Sequence, residues 1–194
     1  MLGAILIFCS TLVYGAVHSL LASLCAKAVA RKMFAPSADR WYRLGFNFAA
    51  GITLLPVLGL LAANVGPVLV AVPWPGWAIL VAMELAALLL MAYVFRHSDP
   101  AFFMGFGQLG NEPSTGGLAT TGAYGIVRHP LYSTGLLMLW CFPILTTGTL
   151  AFDAAITVYI LIGSELEERR LIVQFGEEYL RYRKKVARLI PFLF

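Results

Sequence analysis

Residues 77–95 read WAILVAMELAALLLMAYVF, from Trp77 to Phe95, an apolar run interrupted once, by Glu84. About 20 such residues cross the hydrocarbon core of a bilayer as a helix, so the run predicts a transmembrane span. A carboxylate at that depth costs about 3 kcal/mol on insertion scales. Glu84 is therefore expected to be protonated, paired inward, or part of a substrate pocket. Arg96, His97, Ser98, Asp99 and Pro100 end the run, since polar side chains followed by a proline cannot continue an apolar helix.

The flanking chain repeats the pattern in both directions. Asn64 to Gly76 has no charge and holds Gly66, Pro67, Pro73, Pro75 and Gly76, a turn region with Trp74 and Trp77 as interface anchors. A second span precedes it, from about Leu44 to Ala63, with Pro56 and Gly59 predicting a kink. Before that lies a polar connection over residues 33–43 with Pro36, Asp39, Arg40 and Arg43. Residues 2–26 form a first span leading into Lys27, Arg31 and Lys32. No positive residue precedes that span, so a cleaved secretory signal is not expected. His18, inside it, is expected to face protein or the interface. Downstream, Leu131 to Thr147 reads as a short fourth span with Pro143 inside. Residues 150–163 read as a fifth, with Asp153 as a helix-start cap and the two spans as a tight hairpin. From Ser164 polar residues replace apolar ones with no breaker, so the fifth helix is expected to run on into water.

The composition points the same way: 60% hydrophobic residues, 12% charged and a mean hydropathy of +0.81 exclude an ordinary soluble domain. The fold class expected is all-α and integral to the membrane, a single domain with about five spans. Cys9, Cys25 and Cys141 lie in or beside apolar segments without metal-ligand spacing and read as packing residues. The net charge of +4 does not point to nucleic acid, because the basic residues flank the spans. All 14 Lys and Arg fall on one side of this layout: five in 27–43, two in 96–128 and seven in 169–188. The positive-inside rule then places the N-terminus outside and the C-terminus in the cytoplasm.

Two polar clusters stand out on that cytoplasmic side. The first is GAYGIVRHPLYSTG, Gly122 to Gly135. Pro130 disfavours an α conformation at His129 and suits a first helical position, so a loop becomes a helix start whose exposed amides suit an anionic group. It is reached through a Gly-rich stretch holding Gly105, Gly107, Gly110, Gly116 and Gly117, whose Phe102, Phe103 and Phe106 argue for a lid. The second cluster, SELEERRLIVQFGEEYLRYRKKVARLIP, runs from Ser164 to Pro191. If residues 164–188 are helical, Glu168, Ile172, Phe175, Tyr179, Tyr182 and Val186 share one stripe, a carboxylate heading an aromatic strip. Such a strip suits a ligand with an ammonium at one end and a purine at the other. It is equally the face of an amphipathic helix on the membrane, with Glu165–Arg169 and Glu177–Arg181 as surface pairs.

Taken together the clusters resemble the isoprenylcysteine carboxyl methyltransferase-like family of membrane enzymes. The matching elements are G-x-Y-x-x-x-R-H-P-x-Y at Gly122–Tyr132, E-E-x-x-L at Glu167–Leu171, F-G-x-E-Y-x-x-Y at Phe175–Tyr182, and the late Pro191. The resemblance covers roughly the last 75 residues and is specific as a set. It implies S-adenosylmethionine as methyl donor. It also implies a cofactor site of Tyr124, His129, Pro130, Tyr132, Glu168, Tyr179 and Tyr182, built from the cytoplasmic loop and the C-terminal helix. Glu167 and Arg128 would be catalytic and Arg169 and Arg170 would face the substrate, as Glu84 would by its depth in the third span. Methyl transfer from a sulfonium needs alignment and water exclusion more than acid or base help, in keeping with a chain lacking a Ser-His-Asp set, a metal-binding spacing or a phosphate loop.

The acceptor is left open. Family members that methylate a prenylcysteine carboxylate carry an arginine about four residues before the first Glu of E-E-x-x-L. Gly163 stands there in this chain, with Arg169 or Arg170 as possible substitutes. A lipophilic acceptor, whether a prenylcysteine carboxylate, a thiol or a lipid amine, would enter sideways from the surrounding membrane lipid. Two other resemblances compete. Sterol reductases share an R-H-P-x-Y-like loop and use NADPH. The N-terminal HSLLAS (His18–Ser23) and WYRLGFN (Trp41–Asn47) resemble NnrU-type membrane proteins, some of whose relatives bind haem, with His18 as the axial ligand.

Overall fold

The computed structural model describes residues 1–34, 37–109 and 117–193. Among these residues eight α-helices and two short strands follow in order: α1 (Leu2–Ala22), α2 (Leu24–Phe34), α3 (Ala38–Ala63), β1 (Val68–Ala71), α4 (Gly76–His97), α5 (Pro100–Met104), α6 (Pro130–Trp140), β2 (Ile144–Thr146), α7 (Thr147–Phe175) and α8 (Glu177–Arg183). Among the described residues, α1, α3, α4 and α7 are long and apolar enough to cross a membrane. The chain is an all-α integral membrane protein, and the only sheet among the described residues is the pair β1 and β2.

Most spans begin or end where the sequence says they should, and the differences have local causes. The first apolar run divides at Ser23, whose extended backbone closes α1 and whose hydroxyl accepts from Ala26 N at 3.1 Å, so Ser23 starts α2. The segment expected as a fourth span is an 11-residue helix, α6, followed by an extended stretch. Pro143 explains the stop, because the residue before a proline is pushed out of the α region. Asp153 is not a helix-start cap: α7 begins six residues earlier, where Thr146 and Thr149 cap each other, each backbone N–H donating to the other's hydroxyl at 2.9 and 3.1 Å. Asp153 is buried two turns inside. The fifth apolar segment does run on into the polar one, as a single 29-residue helix.

The chain forms two compact units. The first holds residues 1–69, 98–115 and 146–159. Here α1 and α3 pack, the Tyr42 hydroxyl donates to Leu21 O at 2.5 Å, and His18 sits among the rings of Tyr14, Phe46 and Tyr159, facing protein as expected. The described part of the aromatic connection lies on α3: Arg43 Nε and Asn47 Nδ2 both donate to Phe103 O at 3.0 Å. Of the glycines in that connection, Gly110 and Gly116 lie outside the described residues, as does Pro36 of the earlier one.

The second unit holds residues 70–97, 116–145 and 160–194. In it α6 returns along α4. Gly122, just before α6, lies beside the Tyr93 hydroxyl near the end of α4, Gly135 lies beside Met91, and after α6 Val72 N donates to Pro143 O at 2.9 Å near the start of α4.

Candidate functional site

The two polar clusters meet within the second unit. The loop after the short turn Gly122–Gly125 runs alongside the C-terminal segment: Val127 and Ala187 form a parallel bridge, Arg128 N donates to Ala187 O at 2.8 Å, and His129 N donates to Arg188 O at 3.2 Å. The amides expected to be exposed at this helix start are therefore partly spent on the chain's own tail. Pro130 then opens α6, and Ser133 pins its first turn by donating to Leu189 O at 2.6 Å.

The continuous helix expected over 164–188 breaks at Gly176. Its φ of 55° with ψ of −128° belongs to a region that side chains other than glycine rarely enter. The turn folds α8 back so that Tyr179, Tyr182 and Val186 pack with Leu171, Ile172, Phe175 and Leu118. The aromatic stripe is thus the core of this unit. Tyr182 acts as a strut, donating its hydroxyl to Tyr124 O at 2.6 Å, and burial pushes that hydroxyl up to about 12, so it remains a donor through the neutral range. Burial raises Tyr179 as well, with the nearby Glu168 carboxylate adding to it.

Glu168, 1% exposed, is the centre of the arrangement. Arg128 Nε donates to its Oε1 at 2.7 Å, and His129 Nε2 lies 3.2 Å from the same oxygen. Arg183 Nε approaches the other oxygen at 3.2 Å, at an angle that makes an ion pair without a hydrogen bond. The rest of the Arg128 guanidinium is spent on backbone, with Nη1 donating to Arg183 O at 3.1 Å and to Val186 O. A buried carboxylate is tolerated only with such compensation. Three buried polar atoms around it complete no hydrogen bond among the described residues: Glu168 Oε2, the Tyr179 hydroxyl and Arg188 Nε, which lies 3.9 Å from Glu168 Oε1.

Glu167 points differently. Its side chain is 40% exposed and accepts from the Tyr132 hydroxyl at 3.0 Å, while His129 Nδ1 lies 3.7 Å away. The imidazole therefore stands between two carboxylates, with its ring stacked on Tyr132. Arg128, His129, Pro130, Tyr132, Glu167, Glu168, Tyr179, Tyr182 and Tyr124 are thus gathered in one place. Arg169 and Arg170 are not: both are exposed, Arg169 pairing with Glu165 at 3.1 Å and Arg170 donating to Leu166 O. Glu84 sits half-buried in α4, and no ion pair among the described residues joins it to the Glu168 centre. Sequence reading passed over Arg183, Arg188 and Ser133. Arg188 Nη2 donates to Leu161 O at 3.1 Å and pairs with Glu165 at 3.3 Å, so it lies over the turn of α7 that holds Gly163.

The fold and this centre define a multi-span membrane protein with a buried Arg-His-Glu cluster beside a half-exposed carboxylate. Comparison with known proteins narrows the class. The chain is 39% identical over 126 residues to a protein named methanethiol S-methyltransferase 2 from Bradyrhizobium diazoefficiens, an alignment covering 65% of this chain and 46% of the relative. It is 45% identical over 82 residues, 42% of this chain and 31% of the relative, to a methanethiol S-methyltransferase of Pseudomonas deceptionensis. It is 38% identical over 92 residues, 43% and 31% of the two chains, to the human protein-S-isoprenylcysteine O-methyltransferase. The chain is therefore similar, over part of its length, to membrane proteins named methanethiol S-methyltransferase and protein-S-isoprenylcysteine O-methyltransferase, and it spans less than half the length of these curated relatives. No family model and no solved structure matches it.

Proposed function

We propose that the chain is an S-adenosylmethionine-dependent methyltransferase of the membrane whose acceptor is a lipophilic thiol. The observation that carries the reading is the ring of unsatisfied atoms around Glu168. Glu168 Oε2 and the Tyr179 hydroxyl offer acceptors, and Arg188 Nε offers a donor, all buried and without hydrogen bonds. An ammonium and a carboxylate on one α-carbon would satisfy both kinds at once. The donor set thus fits the amino-acid end of the cofactor, and the half-buried rings of Tyr124 and Tyr132 are the aromatic surfaces left for its base. Bound there, S-adenosylmethionine supplies an electrophilic methyl group on a sulfonium. The protein's own residues do the rest by positioning and by keeping water out.

A thiol acceptor needs little beyond the loss of its proton, since a thiolate is intrinsically very nucleophilic. Glu167 is the carboxylate set to take its proton, held by Tyr132 and lying within reach of His129. Gly163 supports a thiol over a carboxylate: the position itself brings no guanidinium, an added Cβ there would meet nothing within 4 Å, and Arg169 and Arg170 turn outward to the surface. The names of the methanethiol S-methyltransferase relatives support the same acceptor class and favour methyl transfer over the haem-binding and NADPH readings. The one-sided distribution of basic residues supports a cytoplasmic site with the N-terminus outside.

The test supplies membranes carrying the chain with methyl-labelled S-adenosylmethionine and either an alkanethiol or N-acetyl-farnesylcysteine. Labelled methyl thioether from the alkanethiol is expected. Label found only in a methyl ester of the farnesylcysteine would reject the thiol acceptor, and label in neither product would reject methyl transfer.

A further inference from the structure

We propose that the first unit carries a binding site for an anionic phospholipid with a hydroxylated headgroup, a phosphatidylglycerol, in a corner formed by α1, α2, α3 and the turn after α5. Two adjoining cavities, one polar and one apolar, carry the inference. The polar one, about 230 Å³, is lined by Lys27, Arg31, Asp39, Tyr42, Arg43 and Gln108. Three cations face one carboxylate there, and that carboxylate is already matched by Arg31 at 2.6 Å. The wall is therefore net positive and complements a phosphodiester. Gln108 adds a second feature: its Nε2 donates to Phe102 O at 3.1 Å, while its Oε1 is buried with no hydrogen-bond partner among the described residues. An acceptor left open beside cations calls for a ligand that brings hydroxyl donors along with its negative charge.

The apolar cavity, about 420 Å³, shares Ala38, Tyr42 and Phe46 with the polar one and continues along α3 between Leu21, Phe34, Trp41, Gly45 and Ala49. From Ala38 to Ala49 the helix rises about 16 Å, close to the depth of one leaflet. The polar cavity lies where α3 is still polar, Ala38 to Arg43, and the apolar one follows α3 as it turns apolar from Leu44. Charge at the level of the headgroups, with a greasy channel leading toward the bilayer centre, matches a whole lipid. A free phosphate or sugar phosphate would occupy only the charged end.

The experiment uses the full chain, delipidated in detergent, titrated with phosphatidylglycerol and with phosphatidylcholine of the same acyl chains and read by native mass spectrometry, with inorganic phosphate as competitor. Two variants separate the ends of the site. Lys27→Gln removes one cation from the polar wall. Gly45→Leu fills the apolar channel from a position where an added Cβ meets nothing within 4 Å, and circular dichroism of the variant checks that the helices are kept. Phosphatidylglycerol is expected to bind at least about tenfold tighter than phosphatidylcholine, Lys27→Gln to weaken it about fivefold and Gly45→Leu to weaken both lipids. Equal affinity for the two lipids, displacement by inorganic phosphate, or a Gly45→Leu protein that binds phosphatidylglycerol like the wild type would each overturn the proposal.

Discussion

Arg128 combines one ion pair with two hydrogen bonds to carbonyls of another chain segment, and only a guanidinium presents donors in that many directions. Its removal leaves a carboxylate buried beside weaker partners. Arg128→Ala is expected to lower stability by about 3 kcal/mol or more, and Arg128→Lys by clearly less, because the lysine keeps the charge while losing the fork. Thermal unfolding in detergent distinguishes them, and an alanine variant as stable as the wild type would show that Glu168 does not depend on Arg128. The sequence made Arg128, His129, Tyr132, Glu167 and Glu168 legible because they lie in short motifs at fixed spacing. Arg183 and Arg188 were hidden in a basic tail that reads equally well as a topology signal. What brings Arg188 over α7 is the pairing of its segment with the loop at Val127, and no helical or alternating pattern announces a two-residue bridge.

Among the elements, the break at Gly176 decides where the tyrosines go. A single long helix would carry Tyr179 and Tyr182 onward along the axis of α7, whereas the glycine turn packs them with Leu171, Ile172 and Phe175 of that same helix. Gly176→Ala forces a side chain into a glycine conformation at a cost of about 1–3 kcal/mol. Since an added Cβ at Gly176 meets nothing within 4 Å, that cost is conformational alone. Chemical denaturation of the variant measures it, and an unchanged midpoint would mean the turn is not required. The helical period had predicted which residues share a face and missed the break, because a lone glycine inside a helical pattern is often tolerated. The fourth crossing was misread for the opposite reason. Its apolar run is long enough, but the helix stops after about 16 Å of rise, and a turn and a bend over 141–143 lead into the three-residue strand 144–146. The carbonyl of Pro143, which an extended stretch would leave unpaired in lipid, is taken by Val72.

For the whole molecule, hydropathy made the membrane class and the four long helices plain, while charge counting alone speaks to orientation. With Cys9, Cys25 and Cys141 replaced, single cysteines at Leu69 and Ile144 are expected to react with an impermeant maleimide from outside, and single cysteines at Ser98 and Lys184 only after the membrane is opened. The reverse pattern would place the Glu168 centre away from the cytoplasm. Function at this scale rests on one small molecule meeting both polar clusters. Calorimetric titration of the purified chain with S-adenosylhomocysteine, and separately with NADPH, tests that most directly. Saturable binding of S-adenosylhomocysteine at one site, with no heat from NADPH, is the result the account predicts, and binding of NADPH with none of S-adenosylhomocysteine would contradict it.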